Sequence, residues 1–213
     1  GTWRSNLYEY APLNEWLPEA DLGSVSPPEA RAWLVGRYLA AFGPATMDDA
    51  QWWTGFTKTD TRKALKALAE RVIEVPIEGL AGEHLMLAED ARALHDFAPP
   101  DEPFVSFLPS LDPYIMGYRD RQRFLAEEHR PQLFDRAGNS VPTVLVNGRV
   151  VGAWGQEKDG SVVYHLLEET TEEERALLDA EAARLATFLG EEHLPAGFLS
   201  PSFKRLAGGS DET

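Results

Sequence analysis

Between Pro27 and Glu89 the chain encodes a helix, a short helix, a turn, a third helix and two strands, in that order. Ser26-Pro27-Pro28-Glu29 has capping-box spacing with proline in the first turn, which starts a helix. Ala30, Trp33, Leu34, Tyr38, Ala41 and Phe42 then recur at helical period on one face, and Gly43-Pro44 ends the run. Thr46-Met47-Asp48-Asp49 starts a shorter helix through Trp52 and Trp53 that stops near Gly55. A third helix follows Thr57, with Ala64, Leu65 and Leu68 predicted inward and Arg62, Lys63 and Lys66 outward. Val72 to Pro76 and His84 to Leu87 read as strands, joined by the acidic, Gly-rich run Glu78-Gly79-Leu80-Ala81-Gly82-Glu83. Elements of these lengths in this order make a winged helix-turn-helix module. A generic three-helix bundle carrying a hairpin is the competing arrangement.

The rest of the chain is organised around that module. Residues 1–26 read as an irregular, aromatic-rich lead-in, with Trp3, Tyr8, Tyr10 and Trp16 separated by Pro12 and Pro18, and are expected to wrap over a core. Glu89 to Phe97 looks like a short helix closing a winged-helix domain over 27–97, and 98–103, Ala-Pro-Pro-Asp-Glu-Pro, is a linker. Val141–Val146, Val150–Gln156 and Ser161–Leu167 are β-like runs joined by Asn147-Gly148 and Lys158-Asp159-Gly160, both tight-turn signals. Thr170 and Thr171 with Glu173 and Glu174 cap a last amphipathic helix through Leu177, Leu178, Leu185, Phe188 and Leu189 to Gly190. The expected fold class is therefore α+β: a winged helix-turn-helix, then a small antiparallel β-meander or barrel-like subdomain with a C-terminal helix over 104–193. Residues 194–213 are expected to be a tail whose last dozen residues fray, and no internal repeat is present.

Composition narrows the function classes. In 213 residues, 43% apolar and with six Trp, ten Phe and six Tyr, there is ample material for a core. The absence of Cys excludes disulfides, thiolate metal sites and Cys nucleophiles. No run of about 18 apolar residues exists to span a membrane, and Trp3 to Tyr10 lack the apolar segment of a signal peptide, so a cytoplasmic protein is expected. The net charge of −15 opposes binding to phosphates, but it is unevenly spread. Glu168 to His193 carries nine acidic residues against Arg175 and Arg184, whereas Thr57 to Arg71 carries five basic residues against Asp60 and Glu70. The total describes solubility better than any one face.

In a winged helix the third helix enters the major groove, which makes Thr59, Arg62, Lys63 and Lys66 the candidate DNA-binding residues. Arg62 and Lys66, four apart, form a phosphate-facing pair, although a solvated helix or a protein-interaction surface fits the same residues. Arg119-Asp120-Arg121-Gln122-Arg123 is a second basic cluster, suited either to bidentate phosphate recognition or to internal pairing with Asp112, Asp120, Glu127 and Glu128. Arg149, at the tip of the Asn147-Gly148 hairpin, could probe a groove from a thin projection. Glu78 and Glu83 argue against the wing itself lying on phosphates. Catalytic signals are thin. His84, His95, His129, His165 and His193 lack ligand spacing, and no Walker loop, Gly-x-Ser-x-Gly or dinucleotide fingerprint occurs. No catalytic residue, metal or cofactor is therefore expected. Asp112 is expected to cap a turn or pair with an arginine; with Tyr114 it would anchor the alternative of an independent enzyme.

Longer motifs add a resemblance. Leu34-Val35-x-Arg37-Tyr38-Leu39-x-x-Phe42-Gly43-Pro44-Ala45-Thr46, with Trp53-Thr54-Gly55, resembles the bacterial winged-helix DNA-binding family that includes the crosslink-unhooking (AlkZ-like) DNA glycosylases. Leu108-Pro109-Ser110-Leu111-Asp112-Pro113-Tyr114, Tyr118-Arg119-Asp120-Arg121 and Pro142 to Gly152 agree, so the resemblance runs from Trp3 to about Gly190. It implies tandem winged helices with a β-rich C-terminal part, double-stranded DNA as partner, and excision of alkylated bases through an N-terminal Gln-x-Gln motif. Here Gln51, Gln122, Gln132 and Gln156 all stand alone. The chain is thus expected to correspond to the C-terminal part of a longer protein, holding DNA for repair and inactive alone. A winged-helix regulatory or protein-interaction module without repair activity is the alternative, and oligomeric state is left open.

Overall fold

The computed structural model describes residues 9–190, Leu22 excepted. Trp3, Tyr8 and the expected tail over 194–213 lie outside the described residues. The rest of the lead-in departs from expectation. Apart from a single helical turn, α1 (Leu13–Trp16), it is irregular, and every described residue from Glu9 to Ser26 is exposed. Tyr10 is 90% and Trp16 74% accessible, so this segment does not wrap a core. Several of its hydrogen bonds close locally, as from Leu17 N to the Leu13 carbonyl and from Ser24 N to that of Asp21.

Local signals start and stop the next elements. Helix α2 (Pro27–Phe42) begins where the Glu29 carboxylate accepts from the Ser26 amide and hydroxyl. Helix α3 (Met47–Thr54) begins with a reciprocal box between Thr46 and Asp49 and ends on Gly55 at φ 70°. Helix α4 (Lys58–Ala67) starts at Thr57, whose hydroxyl accepts from Asp60 N. Val35, Tyr38 and Leu39 of α2 are buried with Ala50 of α3 and with Ala64 and Leu68 at the α4 end. Strands β1 (Val72–Val75) and β2 (His84–Leu87) pair antiparallel, with Val72 opposite Leu87 and Val75 opposite His84. The ribbon is docked by Ala45, which exchanges both backbone hydrogen bonds with Leu85. A 3₁₀ turn over Ala88–Asp90 and helix α5 (Ala91–Asp96) follow.

The second half holds a four-stranded antiparallel sheet in the order β3-β4-β5-β6, interrupted between its first two strands by short helices. These elements are β3 (Val105–Leu108), α6 (Pro113–Met116), α7 (Arg130–Leu133), β4 (Thr143–Val146), β5 (Arg149–Gln156), β6 (Val162–Leu166) and helix α8 (Glu172–Leu189). The three expected runs are β4, β5 and β6, whereas β3 was not anticipated. The sheet stays open, with β3 and β6 as its edges, so it is a meander and not a barrel. Asn147 and Gly148, at φ 50° and 78°, make the two-residue turn between β4 and β5. A register shift places Val151 as a bulge, since Val144 faces Gly152 while Leu145 faces Val150.

Both sheet faces are covered, which is why every residue of β4, Thr143 included, is buried. Val144, Val146, Val151 and Trp154 pack on one face with Leu178 of α8. Leu145, Val150 and Ala153 point the other way and join the cluster that contains Val35, Tyr38 and Leu39 of α2. A single apolar core therefore runs from the three-helix part into the sheet. Burying one of its large side chains contributes ~2 kcal/mol. Helix α8 corrects one expectation: Phe188 is 79% exposed, since only Leu178 and Ala182 on this helix are buried, with Leu185 and Leu189 packed at their edge. No described helix is long and apolar enough to cross a membrane.

Candidate nucleic-acid interface

Helix α4 presents the densest set of free cations. Thr61, Ala64 and Leu68 face inward, and Thr59, Arg62, Lys63 and Lys66 are all exposed. The helix's one acid is engaged elsewhere, because Asp60 takes the Thr57 hydroxyl at 2.9 Å and Arg31 at 3.7 Å. Arg62, Lys63 and Lys66 make no hydrogen bond or ion pair among the described residues. The structure thus brings four of the seven candidate side chains together on one element. The connection from β1 to β2 carries Glu78 and Glu83, both exposed, and Glu83 lines the same depression as Asp48 and Arg119.

The arginines of the 119–123 segment go to three different places instead of one side. Arg119 Nη1 pairs with Asp48 at 2.8 Å, and the Arg119 and Asp120 amides donate to Asp49 Oδ1 at 2.9 and 3.1 Å. Arg123 Nη1 donates to the Pro44 carbonyl at 2.9 Å and its guanidinium lies 4.0 Å from the Tyr118 ring centre. Arg121 is only 6% exposed, with its guanidinium 4.2 Å from the Phe134 ring centre. Burial, with Arg130 nearby, pushes its pKa down to about 10. Arg121 thus lies inside the protein against aromatic rings, and the three arginines do not share one side.

Arg149 is also less free than expected. It lies 3.6 Å from Glu168, which is equally close to His129. The Asn147-Gly148 tip is no thin projection: Asn147 N donates to the Phe104 carbonyl, Phe104 N returns to Asn147 Oδ1 at 3.0 Å, and Tyr114 Oη donates to the Gly148 carbonyl at 3.4 Å. Asp112 caps α6 by accepting from Tyr114 N at 2.8 Å. Tyr114 packs on Phe124 and Tyr118, so this pair already has structural partners.

What the residue patterns did not reveal is a seam between the two halves. Asp49, 1% exposed, caps α3 with one carboxylate oxygen and holds the 119–120 backbone with the other. Tyr38 Oη donates to the Gly117 carbonyl and Tyr118 Oη to the Phe42 carbonyl, both at 2.9 Å. Burial pushes both hydroxyl pKa values up. The run Thr46-Met47-Asp48-Asp49 marks a helix start in the sequence, but the second partner of Asp49 lies some seventy residues away.

The profile of the family "DNA glycosylase AlkZ-like" matches residues 1–188. An interstrand DNA cross-link repair glycosylase of Streptomyces sahachiroi is 31% identical over 181 residues, which are 83% of this chain and 47% of that protein. The solved structure of Streptomyces sahachiroi DNA glycosylase AlkZ superposes with a TM-score of 0.69 at 30% identity, over 84% of this chain and 49% of its own. The chain thus spans about half the length of the relatives it matches. On the extent of the match and the shared mixed helix-and-sheet fold, this chain belongs to the AlkZ-like DNA glycosylase family.

Proposed function

We propose that this chain is a duplex-DNA-holding part of a crosslink- or alkylation-repair glycosylase. In this reading α2, α3, α4 and the β1–β2 ribbon form a winged helix, with α4 in the major groove. The observation that carries it is the free cationic face of α4, whose one acid is turned onto Arg31 and Thr57. Arg62 and Lys66 contact phosphates, with Lys63 and Thr59 beside them, while the acidic wing stays off the backbone. Arg119 and Arg149, both half-exposed but acid-paired, contribute second. Affinity is weak, salt-sensitive and tolerant of sequence, because phosphates and not base edges make the contacts.

Base excision is assigned to the part of the family protein that this chain does not match, since none of its four glutamines forms a Gln-x-Gln pair. An interaction module unconnected with repair has no support from the family match. Fluorescence anisotropy with a short duplex tests the reading. Binding at low salt that weakens at moderate salt is expected, and no binding at low salt overturns it.

A further inference from the structure

Arg121 is a largely buried cation that makes no close ion pair among the described residues, with Glu127 acting on it only from a distance. Its Nε donates weakly to the Ile115 carbonyl at 3.4 Å, and its terminal nitrogens donate to no acceptor among the described residues. With the residue only 6% exposed and no carboxylate within ion-pair distance, this charge is costly to hold, and rings together with the more distant Glu127 return only part of its lost hydration. The group lines a cleft of about 540 Å³ between α3 and the segment from Glu127 to Gly138. Trp52 forms one wall, its ring centre 5.5 Å from the guanidinium carbon, and Arg130 and Arg136 stand at the rim. Two acids also face the cleft. Glu127 lies 3.5 Å from Arg130, while the carboxylate of Asp135 is occupied by Ala137 N and by the amide and side chain of Asn139. Arg136 makes no ion pair among the described residues.

We propose that this cleft is a phosphate-binding site, in which Arg121 donates from the interior and Arg130 and Arg136 close on the oxyanion from the rim. Three guanidinium groups around one pocket suit a tetrahedral oxyanion, because each presents paired donors. The phosphate belongs to a DNA strand, an assignment that rests on the winged-helix reading. The helix before the recognition helix crosses the sugar–phosphate backbone in that geometry, and α3, which carries Trp52, is that helix. A free phosphate or nucleotide shares the chemistry and is the other source.

Two arms test the proposal. The first measures thermal unfolding of the wild type and of the exposed-rim variant Arg130→Gln/Arg136→Gln in inorganic phosphate and in chloride at matched ionic strength. The second titrates both proteins with duplex DNA over a range of salt. Phosphate should raise the melting temperature of the wild type more than that of the variant. The variant should also bind duplex about tenfold more weakly, with a salt slope reduced by about 1–2. Arg121→Met, which keeps the volume beside Phe134, should lose the phosphate response as well. A phosphate response in the wild type with unchanged duplex binding by the rim variant supports the site with a small phosphate as its source. Identical phosphate responses together with identical duplex affinity and slope overturn it. If Arg62→Gln/Lys66→Gln then still loses DNA, the duplex reading survives that failure. If the wild type ignores duplex yet responds to phosphate through these arginines, the cleft stands and the duplex reading falls.

Discussion

At the scale of single residues, the side chain with the most dependents is Asp49. It accepts from the Thr46 amide and hydroxyl at the start of α3 and from two backbone amides of the following half while 1% exposed. Asp49→Ala strands those donors and should destabilise the protein by ~2–4 kcal/mol in urea unfolding. Arg119→Ala removes only an exposed pair with Asp48 and should cost less than ~1 kcal/mol in the same assay. Equal effects would mean that the ion pair, not the buried carboxylate, holds the seam. Gly152 is sensitive for another reason: a Cβ there runs into the His165 carbonyl of the neighbouring strand. Gly152→Ala should cost ~1–3 kcal/mol, and an unchanged unfolding midpoint would refute that close approach. The arginines show where residue-level reading stops. Their charge was plain in the sequence, but their destinations were set by Asp48, Pro44 and Phe134. No pattern within residues 119–123 encodes those partners.

Elements were more legible than contacts, and the reason is locality. Helices α2, α3 and α4 announce themselves through Ser26/Glu29, Thr46/Asp49 and Thr57, whose capping partners lie three residues away. The β4–β5 turn is written in Asn147-Gly148. Strand β3 is hard to read because its four residues, Val-Ser-Phe-Leu, are followed by a turn at Ser110-Leu111 that lacks the usual glycine or asparagine, and pair with β4 across the long excursion through α6 and α7. Trp33 and Phe188 are apolar at helical spacing yet exposed, since burial needs a partner surface and period alone does not supply one. The cationic face of α4 could be read directly, being a property of one helix. If the ribbon stays off the DNA, Glu78→Gln/Glu83→Gln should change duplex affinity less than about twofold at physiological salt, where charges beyond ~8 Å are screened. A gain of tenfold or more would place the wing on the backbone.

Across the whole molecule, one core ties the helical part to the sheet, and tyrosines sit along that join. Burial raises the hydroxyl pKa of Tyr38, Tyr114 and Tyr118. Burial and then the hydrogen bond to Asp179 push Tyr164 up to about 12. An unfolded tyrosine loses its proton near pH ~10, so between there and about 12 the unfolded chain binds fewer protons than the folded one. This contribution to stability is complete below pH ~10 and falls as pH rises toward 12. Tyrosinate absorbance from these rings should therefore rise together with loss of near-ultraviolet circular dichroism. Titration near pH ~10 with the fold intact would contradict their burial.

At the same scale, a protein of net charge −15 is assigned to a polyanion through one small face. The dependence of log K on log salt for duplex binding tests that assignment most directly, comparing the wild type with Arg62→Gln/Lys63→Gln/Lys66→Gln. Losing three phosphate contacts should make the slope shallower by about 2–3, with the melting temperature unchanged because the three side chains are exposed. Duplex binding of the same affinity and slope in both proteins would show that α4 is not the face that holds DNA.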